Sequence, residues 1–402
     1  MNAWTATPAP VVPPRTLPPQ PLLPPVKVLH VITRFYAGAG GNTLLTALGM
    51  DPDRYEVWVA GVPGDDLWER AAAEGVHTVQ IPGFRDFLTP GDVLVLWRLV
   101  RLIRRERFTI VHTHSAKGGF LGRLAARLCG TPVVVHTFHA ISFHDHMSPW
   151  RRALYRSLER MTSHLAHAYL AVAPRLALEA VRQRLAPPGR VDVVPSAVEL
   201  AGIPDGFDPE ARRTLGVPKD IALIGTVGRI VHQKAPLDFV RMAALVHARY
   251  PDTAFVIVGD GQLADDVRRL AADLGVDVRI TGWRPDAARL AAGLDVFVIT
   301  SLYEGLGRAL SEALAAARPV VATAVNGVPD LVEPGATGLL VAPSDPAGQA
   351  RAVGWMLDHP DEAAAMGSQG CARVRTAFSQ DAMCAAIDAC YCRLLALPGR
   401  TR

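Results

Sequence analysis

Cysteine is scarce in this chain, with five residues in 402: Cys129, Cys371, Cys384, Cys390 and Cys392. The number is odd, most crowd towards one end, and no Cys-x-x-Cys pair occurs. That argues against a disulfide framework or a zinc ribbon and leaves reduced thiols as the expectation. Long apolar runs are missing as well; none approaches the roughly 18 residues needed to span a bilayer. The amino-terminal stretch lacks the basic head and apolar run of a secretory signal. Net charge is only +4 at pH 7, too small to imply a nucleic-acid binder. Together these absences predict a cytoplasmic protein whose membrane contact is at most peripheral, on the inner face.

What the chain does have is apolar mass. Half of its residues are hydrophobic and 20% are charged, enough to bury large cores. At roughly 150 residues per domain, two or three domains are expected. Residues 1–25 hold nine prolines and little to bury, and read as a disordered, polyproline-like tail. From Val26 to Leu200, Lys and Arg outnumber Asp and Glu by 21 to 15; from Ala201 onward the counts are 20 and 23. The first half is therefore the part drawn to anionic surfaces.

At Val26 the pattern changes. "VKVLHVIT" is a continuous apolar strand of the kind found in buried parallel sheets. Further strands are predicted at Glu56–Val62, Ile110–His114, Val133–Thr137 and Tyr169–Val172, with helices such as Val93–Arg105 and Leu121–Leu128 between them. Around Ala186–Asp220 the periodicity fails in Pro, Gly and Asp, which places the interdomain linker there. The alternation then restarts through "IALIGTVG", "AFVIVG", "VRITG", "VFVIT", "PVVAT" and "GLLVA". The fold class predicted is α/β: two tandem doubly wound, Rossmann-like domains, residues 26–200 and 201–380, with a cleft between them. A last helix, about Ala382–Leu397 within residues 381–402, is placed to pack back on the first domain.

The loops of the second half carry the chemistry. "GTVGRIVHQK" sets Arg229 and Lys234 after Gly228, two cations near a glycine turn that suit a diphosphate. Gly259-Asp260-Gly261 and Gly282 make tight turns at strand ends, where backbone approaches a ligand closely. In "SLYEGLGRALSEAL", Glu304 follows a strand, and Gly305-Leu306-Gly307 opens a helix carrying Glu312. Free N–H groups at such a helix start favour an anion. Two carboxylates beside it are acceptors for vicinal hydroxyls, so the set suits a polyol phosphate such as a nucleotide sugar. For each piece taken alone, an ordinary turn or a salt-bridged surface is the competing reading.

In this order and register the motifs resemble the retaining glycosyltransferases of family 4, exopolysaccharide and capsule enzymes among them, which have the GT-B fold. The resemblance runs from Val26 to about Phe378. It implies that Arg229 and Lys234 neutralise the leaving diphosphate, and that Glu312 accepts hydrogen bonds from the ribose. It implies that Glu304 holds the transferred sugar, with Gly305–Gly307 beside it. Gly40 and Gly41 match the family's glycine loop after the first strand, and His139 in "VVVHTFHAISF" would sit beside the sugar. "IVHTHSAKGGFLGRLAA", with His114, Ser115 and Lys117, resembles a block of the same enzymes. Three positions depart from the family pattern: Ala235 and Asn326 stand where glycine is usual, and Asn42 follows Gly41.

No metal is expected. His112 with His114, or His139, His144 and His146 with Asp145, fit no zinc spacing, and the family needs none. A nicotinamide site is unsupported, since Thr43 replaces the third glycine after Gly38 and Gly40. Arg98, Arg101 and Arg105 on one helix, and Arg152, Arg156 and Arg160 on another, form stripes that fit either an anionic membrane or solvent. The activity predicted is transfer of a sugar from a nucleoside-diphosphate donor, with UDP favoured and GDP open, to a hydroxyl of a glycan or lipid-linked acceptor. No cofactor is predicted. The rivals are a nucleotide-sugar epimerase on the same fold and a non-catalytic binding scaffold.

Overall fold

A computed structural model of the chain describes residues 25–64, 66–85, 87–141, 143 and 147–398. The tail predicted before Val26 lies outside the described residues except for Pro25, as do His144, Asp145 and His146. The first sheet comprises β1 (Val26–Phe35), β2 (Tyr55–Pro63), β3 (His77–Gln80), β4 (Ile110–His114), β5 (Val133–Phe138), β6 (Ala168–Ala171) and β7 (Val191–Val193). The second comprises β8 (Ala222–Val227), β9 (Thr253–Val258), β10 (Val278–Ile280), β11 (Val296–Ile299), β12 (Val320–Thr323) and β13 (Leu339–Val341). Strand orders are β3-β2-β1-β4-β5-β6-β7 and β10-β9-β8-β11-β12-β13. The pairings are parallel, as in β1 with β4 and β8 with β11. Strands β4, β5, β11 and β12 are buried along their whole length, because helices cover both faces of each sheet.

Both sheets reverse direction at one place, between β1 and β4 and between β8 and β11. Ligands of doubly wound sheets bind outside the carboxyl ends of the strands at such a switch point. The loops that leave β8 and β11 carry Lys234 and Glu304; Ser115 directly follows β4, and Gly40 and Gly41 lie in helix Ala37–Gly49, which follows β1.

The linker is narrower than the predicted Ala186–Asp220, because Val191–Val193 forms the edge strand β7. Three half-exposed residues at a sheet edge carry no apolar run to betray them; β3, with the same edge character, was equally unreadable. Helix Pro209–Thr214 already belongs to the second domain, where the wholly buried Arg212 donates to Asp295 at 2.7 Å. The chain crosses back after helix Pro360–Ala377, and the two crossings are tied together: the Val198 N–H donates to the Phe378 carbonyl at 2.9 Å.

The last helix, Gln380–Leu395, packs on the first domain. It buries Met383, Cys384, Ile387, Tyr391 and Leu394 against Val28, Ile110, Val133 and Val135 of the first sheet. Arg54 and the Tyr55 hydroxyl both donate to Asp388, at 2.6 and 2.7 Å. All five cysteines are free, and burial pushes the Cys384 and Cys390 thiols up to about 12, which makes them packing groups rather than nucleophiles. Among the described residues no helix is long and apolar enough to cross a membrane. A buried aliphatic side chain of this kind is worth about 2–5 kcal/mol when truncated to alanine. Ile387→Ala should lower the urea midpoint accordingly, read by tryptophan fluorescence; an unchanged midpoint would mean that the helix is not docked in solution.

Candidate active site at the domain cleft

The second domain builds its half of the site from two neighbouring loops. After β8, Gly228 (φ 151°) and the exposed Arg229 lead into a 3-10 turn, His232–Lys234. Ala235 then takes a left-handed conformation, φ 43°, before helix Pro236–Arg249. Glycine adopts that geometry freely, and alanine pays a modest steric cost there, which explains why this position departs from the family pattern only with strain. After β11, the Ser301–Gly307 loop runs alongside. The Leu302 N–H donates to the Gln233 carbonyl at 2.8 Å, and the Thr300 hydroxyl to the Lys234 carbonyl at 2.6 Å.

These bonds bring Lys234 against Glu304, and their side chains form an ion pair. Glu304 is 8% exposed and its Oε1 also accepts from the Ser301 hydroxyl at 2.9 Å. The Glu304 N–H donates to Asn326 Oδ1 at 2.9 Å. Asn326 sits at φ 42°, a region asparagine tolerates, so this departure from glycine keeps the turn and adds a bond. Arg229 lies near Tyr303, whose hydroxyl burial pushes upward and the guanidinium draws down.

Helix Arg308–Ala315 starts after Gly307, at φ 95°. Glu312 lies within it, buried, and accepts from Arg308 Nε at 2.8 Å. Burial raises the Glu312 carboxyl above the usual range, with Arg308 opposing that shift. Arg308 also reaches Glu199 at 4.0 Å, and Glu199 pairs with Arg70 at 2.6 Å. Neither Arg308 nor Glu199 stood out in the sequence; the Arg308–Glu312 spacing of four was the available signal.

Several of the glycines are positions of close packing between loops and between domains. A Cβ on Gly259 or Gly261 would collide with the carbonyls of Gly228 and Ile230, so their smallness admits the neighbouring loop. Gly282 is bridged to Gly259, the exposed Asp260 accepts from the Gly261 N–H at 2.7 Å, and the Ile230 N–H, next to Arg229 in the chain, donates to the Asp260 carbonyl at 2.8 Å. Gly305 faces the His139 carbonyl, which leaves no room for a side chain and presses the first domain onto the second. Gly40 and Gly41 do not form a loop: they lie inside helix Ala37–Gly49, which begins directly after Tyr36. A Cβ on Gly41 would strike the Arg308 guanidinium, so this glycine lets the second domain reach over the first. Leu306 is buried.

His139 closes the cleft from the first domain. Its Nε2 lies 3.0 Å from His114 Nδ1, and burial pushes it down to about 4, so it is neutral. Two residues further along the chain, at Ile141, a cavity of about 390 Å³ opens between the domains, lined by Ile141, Phe143, Arg152 and Arg175 on one side and Tyr303 and Asn326 on the other. The stripe Arg152, Arg156, Arg160 is thus not one solvent face: Arg152 turns to this cavity, and Arg160 donates to the Gln183 carbonyl at 2.9 Å. Arg175 bridges the cleft to Asp330, its N–H donating at 2.9 Å.

Two family descriptions match the chain: "Glycosyl transferase 4-like domain" over residues 28–197 and "Glycosyl transferases group 1" over residues 222–359. The chain is 32% identical over 261 residues to the UDP-Gal:alpha-D-GlcNAc-diphosphoundecaprenol alpha-1,3-galactosyltransferase of Escherichia coli, covering 63% of this chain and 67% of that protein. It is 32% identical over 316 residues to D-inositol 3-phosphate glycosyltransferase 2 of Catenulispora acidiphila, covering 73% and 72%. In fold it is similar to the Anabaena protein HepE, solved in complex with UDP and glucose: TM-score 0.78, 19% identity, covering 92% of this chain and all of that one.

The buried Glu312 carboxyl gives a pH signature. With its value raised in the folded state, its contribution to stability is full below the ordinary glutamate range and falls as pH rises through the raised value. Glu312→Gln removes that dependence. The melting temperature of the variant relative to wild type should be more favourable at pH 8 than at pH 5, and a difference independent of pH would contradict the assignment.

Proposed function

The chain belongs to the group 1 glycosyltransferases, and on that premise we propose that it transfers a sugar, with retention of configuration, from a nucleoside-diphosphate donor to a hydroxyl of a phosphate-bearing glycan acceptor. The observation that carries this reading is the Lys234–Glu304 pair at the switch point of the second sheet. A diphosphate arriving there competes with Glu304 for Lys234, joined by Arg229 from the same loop. The carboxylate so released faces the sugar attached to that diphosphate and accepts from its hydroxyls. Glu312, one helix turn deeper, takes the ribose hydroxyls. The acceptor oxygen attacks the anomeric carbon on the face from which the diphosphate departs. The C–O bond to phosphate breaks as the new one forms, and a leaving phosphate oxygen takes the acceptor's proton. In this reading the two cations and the free N–H groups of the Arg308 helix stabilise the departing charge, and no metal is required.

The cavity lined by Ile141 and Phe143 is the place for the acceptor. Arg152 and Arg175 at its wall suit a phosphate or diphosphate on that acceptor. Both relatives above are named for acceptors of that kind. A lipid-linked acceptor also calls for a membrane surface. Helix Asp92–Glu106 offers one, exposing Val93, Leu94 and Trp97 with the Arg101 guanidinium 5.5 Å from the Trp97 ring; Lys117, paired with Asp92 at the start of this helix, also donates to the carbonyl of the exposed Phe87. Each cation near anionic lipid is worth about 1 kcal/mol.

Labelled nucleotide sugars incubated with and without membrane extract test the activity. Transfer requires the extract, an epimerase works without it, and a scaffold does neither. Lys234→Ala should cut turnover by roughly 100-fold, the scale of one lost charge stabiliser; normal transfer would remove Lys234 from the mechanism. Glu304→Ala should weaken binding of the nucleotide sugar more than of the free nucleoside diphosphate, and equal losses would contradict the hydroxyl contact. Trp97→Glu with Arg101→Glu should abolish sedimentation with vesicles rich in anionic lipid, while wild-type protein that ignores such vesicles would rule out the surface contact.

A further inference from the structure

Beneath the cleft lies a layer of buried imidazoles that the reaction above does not use. His30 on β1 stands opposite His112 on β4, and His114 follows two residues on, so all three share one face of the sheet. Each is at most 1% exposed. Their nitrogens lie close enough to suggest a metal-ligand set. The bonds they make, however, describe something else. His112 is engaged at both nitrogens, by the Tyr391 hydroxyl at 2.6 Å and the Thr137 hydroxyl at 2.7 Å. The other rings form a line: His30 Nδ1 is 2.8 Å from His114 Nε2, and His114 Nδ1 is 3.0 Å from His139 Nε2. The line ends at His30 Nε2, which is buried and has no hydrogen-bond partner among the described residues.

That blank end sets the direction of every proton in the line. A neutral imidazole has one N–H and one lone pair. If the protons pointed inward, from His139 to His30, the last N–H would be orphaned in the core. If they point outward, the group left over is a lone pair. Of the two, orphaned buried N–H groups are the rarer. We propose that His30, His114 and His139 are all held as Nδ1–H tautomers, a relay that obliges His139 to present an N–H donor, never a lone pair, to an oxygen in the cleft. His30 and His114 are then positioning residues, acting through His139. Burial, which pushes His30 down to about 3 and His139 to about 4, keeps the line neutral. The stacked ring of His112, centred 4.5 Å from that of His114, braces it from the side. The tautomer follows from these bonds alone; its value to a sugar or acceptor oxygen rests on the function proposed above.

Long-range proton–nitrogen NMR of the full chain, labelled with nitrogen-15 in its imidazoles, reads the tautomers at pH 7. Three Nδ1–H rings are expected. A ring of the three found as Nε2–H, or doubly protonated, overturns the relay, as does one zinc ion per chain that His114→Phe removes. In His114→Phe, His139 loses its enforced donor and should move towards the Nε2–H form, with turnover down roughly tenfold and UDP affinity within twofold of wild type. His114→Asn places an amide donor where Nδ1 stood and should restore both. A His139 tautomer unchanged in His114→Phe, in protein that still melts cooperatively, would refute the positioning role. Correct tautomers with no effect of His114→Phe on turnover would refute the functional reading while leaving the relay intact.

Discussion

The Lys234–Glu304 ion pair is the contact on which the rest of the structure turns. Both groups lie in loops, and loops hold charged side chains in place only when something fixes their backbones. Here the fixing is explicit: the β8 and β11 loops are bonded to each other through Gln233, Thr300 and Leu302. Glu304 is further held by Ser301 and Asn326. A carboxylate this enclosed needs a cation or hydrogen-bond donors, because desolvation costs several kcal/mol per ion. Removing either partner therefore strands a charge, and a ligand that takes one partner has to satisfy the other. A donor bearing phosphate at one end and hydroxyls at the other does both at once, which is why this pair fits a sugar diphosphate better than a simple anion.

The second constraint is the closeness of the two domains. Gly305 under the His139 carbonyl and Gly41 under the Arg308 guanidinium are points where any side chain would push the halves apart. Between them runs the Arg70, Glu199, Arg308, Glu312 sequence of charges, which belongs to both domains. The two chain crossings, joined at Val198 and Phe378, act on one side, and the Arg175–Asp330 contact acts on another. The covalent and polar ties of the cleft are thus distributed around it. Its geometry depends on small residues at two contacts and on paired charges elsewhere.

Much of this was legible in the sequence. Parallel strands announced themselves as apolar runs because both faces are covered; Lys234 and Glu304 were visible as charges after strand ends, and Glu312 as a charge on the helix that follows. What escaped was whatever depends on a distant partner. β3 and β7 are edge strands too short to show a period. The role of Arg308 needs Gly41 and Glu199, which lie far off in sequence. At Gly259 and Gly261 the sequence reveals that a side chain is missing, not that the carbonyls of Gly228 and Ile230 come up against the space. Gly40 and Gly41 looked like a loop because glycine is poor in helices, yet the helix is held by packing, with Leu44 and Leu45 buried on it.

The histidine layer shows the same limit from the opposite direction. Spacing alone gave His112 and His114 no standard ligand pattern, and spacing alone was silent about His30, which is 84 residues from its nearest bonded partner. Parallel pairing of β1 with β4 joins them, and the carboxyl-terminal helix completes the layer with Tyr391. That helix follows the second domain in the chain but packs under the first domain's histidines, so a residue near the end of the sequence braces rings that lead to the cleft. Polar groups so deeply buried cost stability unless their bonds are made. A sheet of aliphatic residues would have packed at least as well here. The polar layer is therefore best explained by what it holds in place, and the ring at its open end is His139.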